Sequence, residues 1–216
     1  QCLLPNGNYL WIELQCRSVS GRWIQPDQEP STEYLFSNSI AIDGSSCRLL
    51  SPVDNLLQVC LHTAKHSYVR SPGFRLHTDV DRIVKFNDIN WDTFCKKVED
   101  LHIRTPVYLS LLIPKNLLDS GIPDFVLKRL NFSPLKHLFL QNWLINVGLF
   151  GPHDKKWSRI GFIIFNCMLY DGLGDFFKAL FPEKKFLGVK NMKGKFFFIF
   201  YFKRIIDLLF NRSKNI

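Results

Sequence analysis

From Ser51 onward the apolar residues of this chain recur at the spacing of an α-helix, and that period persists almost to the last residue. No other feature restricts the possible folds as strongly. Ser51-Pro52-Val53-Asp54 marks the change: a capping serine, a proline at the first helical position and an acid in the first turn. Leu56, Val59, Cys60 and Thr63 then form an apolar stripe. Residues 74–86 and 91–101 follow with the same spacing and with acids near their starts. Residues 107–118, 123–130, 134–147 and 157–170 continue the series, and a last amphipathic segment covers 195–210.

The residues before Ser51 read differently. Residues 9–17 follow a Pro5-Asn6-Gly7-Asn8 turn and are rich in aromatic and β-branched side chains, which predicts a strand. Alternation puts Glu13 in the middle of its polar face, with Leu10, Ile12, Leu14 and Cys16 on the other. Residues 21–38 read as a polar connection. Residues 39–42 and 47–50 flank Asp43-Gly44 and predict a hairpin. The expected fold class is therefore α+β: a partial sheet over residues 1–50, then a mainly α-helical domain over 51–216.

The chain is 46% hydrophobic, enough to bury a sizeable core. It opens on Gln1 with no leader-like pattern, and the start reads as the interior of a domain, hence as truncated. The longest apolar runs, near 160–169 and 196–202, fall short of the ~20 residues that span a bilayer, so a soluble protein is expected. None of the six cysteines forms a C-x-x-C pair; they read as reduced thiols of a cytoplasmic protein. Residues 1–150 carry 15 Lys+Arg against 14 Asp+Glu, a balance of +1, while residues 151–216 carry 13 against 5, a balance of +8. Any attraction to a polyanion or membrane surface belongs to that last third.

Chemistry concentrates in residues 61–84. His62 and His66 stand four apart on one helix face, with Arg70 a turn further. Two histidines so spaced can chelate a metal, but Thr63 stands where a zinc-protease motif needs glutamate, and no third ligand is evident. Hydrogen-bonding histidines lining an interdomain cleft or core are expected instead. His62, Lys65 and His66 holding a phosphate or sugar is the alternative. Asp79-Val80-Asp81 has the form of a metal-binding pair, yet Leu76, Val80, Ile83 and Val84 align as a helical stripe, and two residues on a helix diverge by about 200°. Gly44-Ser45 has the form of a triphosphate cradle but reads as the hairpin turn.

Taken together, these motifs resemble the uncharacterised nucleotidyltransferase family of bacteria, within the polymerase-β-like superfamily. They are Ile12-Glu13-Leu14, Gly21-Arg22-Trp23, Leu50-Ser51-Pro52-Val53-Asp54, Cys60-Leu61-His62 with Lys65-His66, Arg75-Leu76 with Asp79, Arg82 and Ile83, and Asn90-Trp91-Asp92. Leu180-Phe181-Pro182 and Phe202-Lys203-Arg204-Ile205 look like the family's closing elements. The resemblance implies Mg²⁺-dependent transfer of a nucleoside monophosphate from an NTP to an acceptor. It implies that two carboxylates lie upstream of Gln1, so the chain by itself is expected to be inactive. Glu13 matches the third, a catalytic and metal-binding position. His62, Lys65, His66 and Asp79 match family positions on the acceptor side of the cleft. Gln15 and Cys16 depart from the family's usual His and Trp.

A non-catalytic helical binding or scaffold module is the rival class. The basic, aromatic residues 193–216 add a third, membrane-surface contact. Apolar residues wrap most of that last segment, so a terminal helix packed on the bundle is expected over lipid contact. Nucleic-acid binding ranks below both, because the aromatics are not interleaved with cations.

Overall fold

The computed structural model describes residues 2–3, 7, 9–10, 26–70, 73–150 and 158–181. Within them are two antiparallel hairpins and nine α-helices, an α+β fold that is mostly helical. Strand β1 (Cys2–Leu3) pairs with β2 (Tyr9–Leu10) in the register Cys2↔Leu10, and Gly7 turns between them with φ +80°. Of the strand expected over 9–17, residues 11–17 lie outside the described residues. Strand β3 (Ile40–Ala41) pairs with β4 (Arg48–Leu49) as the Asp43-Gly44 turn predicts. Gly44 takes φ +72°, a conformation that side chains with a Cβ resist.

Helix α1 (Thr32–Ser37) falls where a polar connection was expected. Ser31 caps it, accepting from the Tyr34 N–H at 3.1 Å, and none of its residues is buried, so it leaves no apolar stripe in the sequence. Helix α2 (Pro52–Lys65) starts as its capping signal requires: the Ser51 hydroxyl oxygen accepts from the Asp54 N–H. Then come α3 (Phe74–Phe86), α4 (Trp91–Asp100), α5 (Arg104–Leu118), α6 (Asp124–Leu130), α7 (Pro134–Val147), α8 (Arg159–Met168) and α9 (Leu173–Leu180). Helix α5 begins three residues before its apolar pattern does, because Pro106 is tolerated in a first turn whose N–H groups have no intrahelical partner. Helix α9 was not expected; Gly172 and Gly174 obscure its start. Residues 195–210 lie outside the described residues.

The core is one cluster centred on α2 and α5. Leu56, Leu57, Cys60 and Leu61 of α2 meet Val107, Leu109 and Leu111 of α5, with Val80, Phe94, Val98, Val126, Leu130 and Phe165 closing around them. No residue of α2 is exposed, and residues 105–111 of α5 are all buried. Such a position puts the polar groups of α2 at risk, since each unpaired buried group costs about 1–3 kcal/mol. Asp54, 2% exposed, accepts from the Ser51 hydroxyl at 2.6 Å and from the Lys97 ammonium of α4 at 2.5 Å. Lys97 also lies over the Tyr34 ring at 4.5 Å, joining α1 to the same cluster. Burial opposes the charge on Lys97, but the hydrogen bond to Asp54 and the attraction of its carboxylate hold the ammonium's pKa above its usual value.

Removing either partner leaves a charge stranded against the core. Asp54→Asn or Lys97→Met is expected to cost about 3 kcal/mol each, read from the denaturant midpoint. The double substitution should cost clearly less than the two together; additive losses would show that the pair is not coupled.

Candidate functional site

Stepping 100° per residue along α2 places Asn55, Gln58, His62, Lys65 and His66 on one side, opposite Leu57, Cys60, Leu61 and Ala64. All five are half-buried. The polar side of α2 is thus a shielded surface that ends in three basic side chains. His62 and His66 bring their rings to 4.8 Å, centroid to centroid, tilted by 58°. They lie at the carbonyl end of the helix, where cationic side chains are favoured. Side chains of this kind hold phosphate oxygens well: Lys65 as a point charge, the imidazoles as directional donors.

Immediately after the histidines the backbone is strained. His66 closes α2 by donating its N–H to the His62 and Thr63 carbonyls, and Ser67 and Tyr68 then take φ +51° and +66°. Two consecutive non-glycine residues there cost on the order of 1 kcal/mol each and persist only when the surroundings enforce them. They do so here. The Tyr68 hydroxyl donates to the Pro106 carbonyl at 2.9 Å, its ring meets Phe165 edge-on, and its carbonyl lies 2.8 Å from His77 Nε2. That contact makes Nε2 the protonated nitrogen of a neutral, fully buried imidazole. Among the described residues, His77 Nδ1 has no hydrogen-bond partner. The turn is thereby fixed from α3 and α5.

Asp79 is half-buried at the edge of the inward face of α3, a helix that packs against α2. Asp81 points elsewhere and pairs with Lys85 at 2.9 Å. The D-x-D sequence is therefore helical, as its apolar stripe predicts. Asp54 is neutralised by Lys97. Among the described residues, no group of three His, Cys, Asp or Glu is placed to hold a metal ion. The described carboxylates do not fit a magnesium pair, and Glu13 lies outside the described residues.

Two clusters escape sequence reasoning because their members are far apart in the chain. One is Asp54–Lys97. The other is Lys136, which donates to Thr105 Oγ1 at 2.8 Å and the Tyr170 carbonyl at 2.7 Å. Beside it the Asp171 carboxylate caps α5, accepting the Arg104 and Thr105 N–H groups at 2.7 Å each. Burial pushes the Lys136 ammonium down to about 8, with Asp171 acting against that shift. A cavity of about 340 Å³ between α5 and α7 is lined by Leu109, Ile113, Leu144 and Leu149 among others, and by none of the sequence-named site residues.

A family model described as an uncharacterised nucleotidyltransferase matches residues 5–119, just over half of the chain. The match spans α1 through α5 and contains Glu13, His62, Lys65, His66 and Asp79. No curated protein and no solved structure matches the chain.

The buried His77 gives this turn a pH signature. Burial holds its pKa below the usual value, against the opposing effect of the hydrogen bond to Tyr68. The unfolded chain takes up this proton near pH ~6.5 and the folded chain only at lower pH, so stability present above ~6.5 is lost as pH falls. Unfolding midpoints should drop between pH 7 and 5, and less steeply in His77→Gln. Equal slopes would mean His77 is not the group responsible.

Proposed function

We propose a nucleotidyl-transfer function from one premise: the chain belongs to the uncharacterised nucleotidyltransferase family. In this reading the protein transfers a nucleoside monophosphate from an NTP to an acceptor, and α2 lines the cleft where phosphates and acceptor meet. The observation that carries it is the shielded basic end of α2, with His62 and His66 at 4.8 Å inside the family-matched residues.

The chemistry asks for charge and placement more than for covalent steps. An acceptor oxygen attacks the α-phosphorus in line, forming one P–O bond as the bond to pyrophosphate breaks, and the acceptor's proton passes to a base. Negative charge shifts onto the leaving pyrophosphate. Lys65 and the two imidazoles are assigned to hold these oxygens, and the fixed turn at Ser67 and Tyr68 keeps them from having to reorganise. Asp79, on the adjoining helix, is assigned to orient the acceptor. Glu13 is assigned as the catalytic carboxylate that holds Mg²⁺, which when bound would neutralise phosphate charge.

The test uses protein expressed from its complete reading frame, α-labelled NTP and Mg²⁺. Glu13→Ala is expected to lower incorporation at least about 100-fold, the range for losing a group that stabilises transition-state charge. His62→Gln with His66→Gln should weaken NTP binding about 10-fold, as loss of charge-assisted hydrogen bonds does. Incorporation unchanged in the Glu13 variant removes its assigned role. NTP binding without incorporation in the wild type would replace catalysis by a non-catalytic binding role.

A further inference from the structure

Most described lysines meet either a carboxylate or water. Lys85, Lys97 and Lys115 pair with Asp81, Asp54 and Asp124. Lys96, Lys128 and Lys178 are exposed. Lys136 does neither. It is half-buried where α5, α7 and the turn before α9 meet, and its Nζ donates to two uncharged oxygens, Thr105 Oγ1 and the Tyr170 carbonyl. Both acceptors are fixed by burial, Thr105 fully and Tyr170 nearly so. An ammonium has three hydrogens to place, a neutral amine two. Two fixed oxygens therefore match the neutral amine, whose lone pair is left on the remaining side of nitrogen.

The surroundings act in the same direction. Lys136 stands in the first turn of α7, an end with no side-chain cap, where the helix's free N–H groups disfavour a cation. The Asp171 carboxylate has both oxygens engaged by the Arg104 and Thr105 N–H groups, and the Arg104 guanidinium lies 3.6 Å from it. The Phe132 ring, 5.2 Å from Nζ, favours the charged form. Tyr108 and His137 pack against Phe132 and meet each other at 3.5 Å, and burial raises the Tyr108 pKa, which keeps it a neutral phenol. Burial prevails over these influences, with Asp171 against it and Arg104 beside it, and the ammonium's pKa falls to about 8.

We infer that Lys136 Nζ is a site of covalent acylation by small acyl phosphates. The nitrogen lone pair attacks the carbonyl carbon and an N–C bond forms. The C–O bond to phosphate breaks, phosphate leaves with the electron pair, and the proton shed by nitrogen ends on that phosphate. The exposed Arg104 guanidinium beside the amine suits an anionic reagent and its phosphate leaving group. Half-burial of the amine favours a small acyl group over a bulky one. The product is an uncharged amide, so burial no longer acts against a charge. Its single N–H can serve Thr105 Oγ1 or the Tyr170 carbonyl but not both. Lys136 lies beyond the family-matched residues 5–119, and the inference stands apart from the transfer reaction.

The experiment treats the folded full chain with acetyl phosphate and reads acetylation site by site with peptide mass spectrometry. At pH ~7.5 Lys136 is expected to react at least about 10-fold faster than Lys96, Lys128 and Lys178, because more of it is free amine. Its rate should climb with pH to a plateau, half-maximal near 8. Asp171 caps α5 through the backbone N–H of Arg104, so Arg104→Gln leaves that cap in place. This variant should move the half-maximum upward and slow Lys136 at least about 2-fold at pH ~7.5. In denaturing guanidinium chloride the four lysines should react alike. A neutral acetyl thioester should show a smaller preference for Lys136. The inference is overturned by a folded-state rate no faster than that of the exposed lysines, or by a preference that survives denaturation. A half-maximum unmoved in Arg104→Gln, or an equal preference with the thioester, would overturn it too.

Discussion

A helix with no exposed residue must find partners for its polar groups as well as its apolar ones, and α2 does so at both ends. At its start, Asp54 is held by Ser51 and by Lys97 of α4, which also lies over Tyr34 of α1. At its end, the chain takes two left-handed residues in succession, and the cost is met by Tyr68 reaching Pro106 and by His77 reaching Tyr68. Between these points α2 presents Leu57, Cys60, Leu61 and Ala64 to α5. The polar side that remains runs from Asn55 to His66.

The helices after α6 obey a different rule. The buried face of α5 is apolar apart from Thr105 and Ser110, while α7 carries apolar residues on opposite sides and is joined to α5 through Lys136. Burial holds the Lys136 ammonium down near 8, although a hydroxyl and a carbonyl accept from it. Asp171 supplies the complementary charge while capping α5. One polar knot thus links α5, α7 and the turn before α9. It lets α7 to α9 leave apolar side chains facing outward without loosening the core.

Much of this was legible in the residues themselves. The Ser-Pro-x-Asp cap, the Asp-Gly turn and the 3.6-residue period of 74–86 and 134–147 each fix local backbone geometry through nearest neighbours, and the corresponding elements stand where those signals put them. The family, too, was carried by short contiguous motifs. Helices α1 and α9 were not legible, since one buries nothing and the other starts among glycines. Glu13, on which the metal chemistry of the family reading rests, lies outside the described residues.

By itself, then, the sequence determined periods, caps and turns, because those depend on residues within a few positions of one another. Only the tertiary structure decided which charges would meet. Asp54 finds Lys97 across 43 residues, and Asp171 finds the N–H groups of Arg104 and Thr105 across more than 60. It also decided that His77 is buried neutral beside a strained turn, and that α7 keeps an apolar face outward. Burial and charge pairing are set by which helices pack together. That packing is a property of the assembled core, which no local spacing encodes.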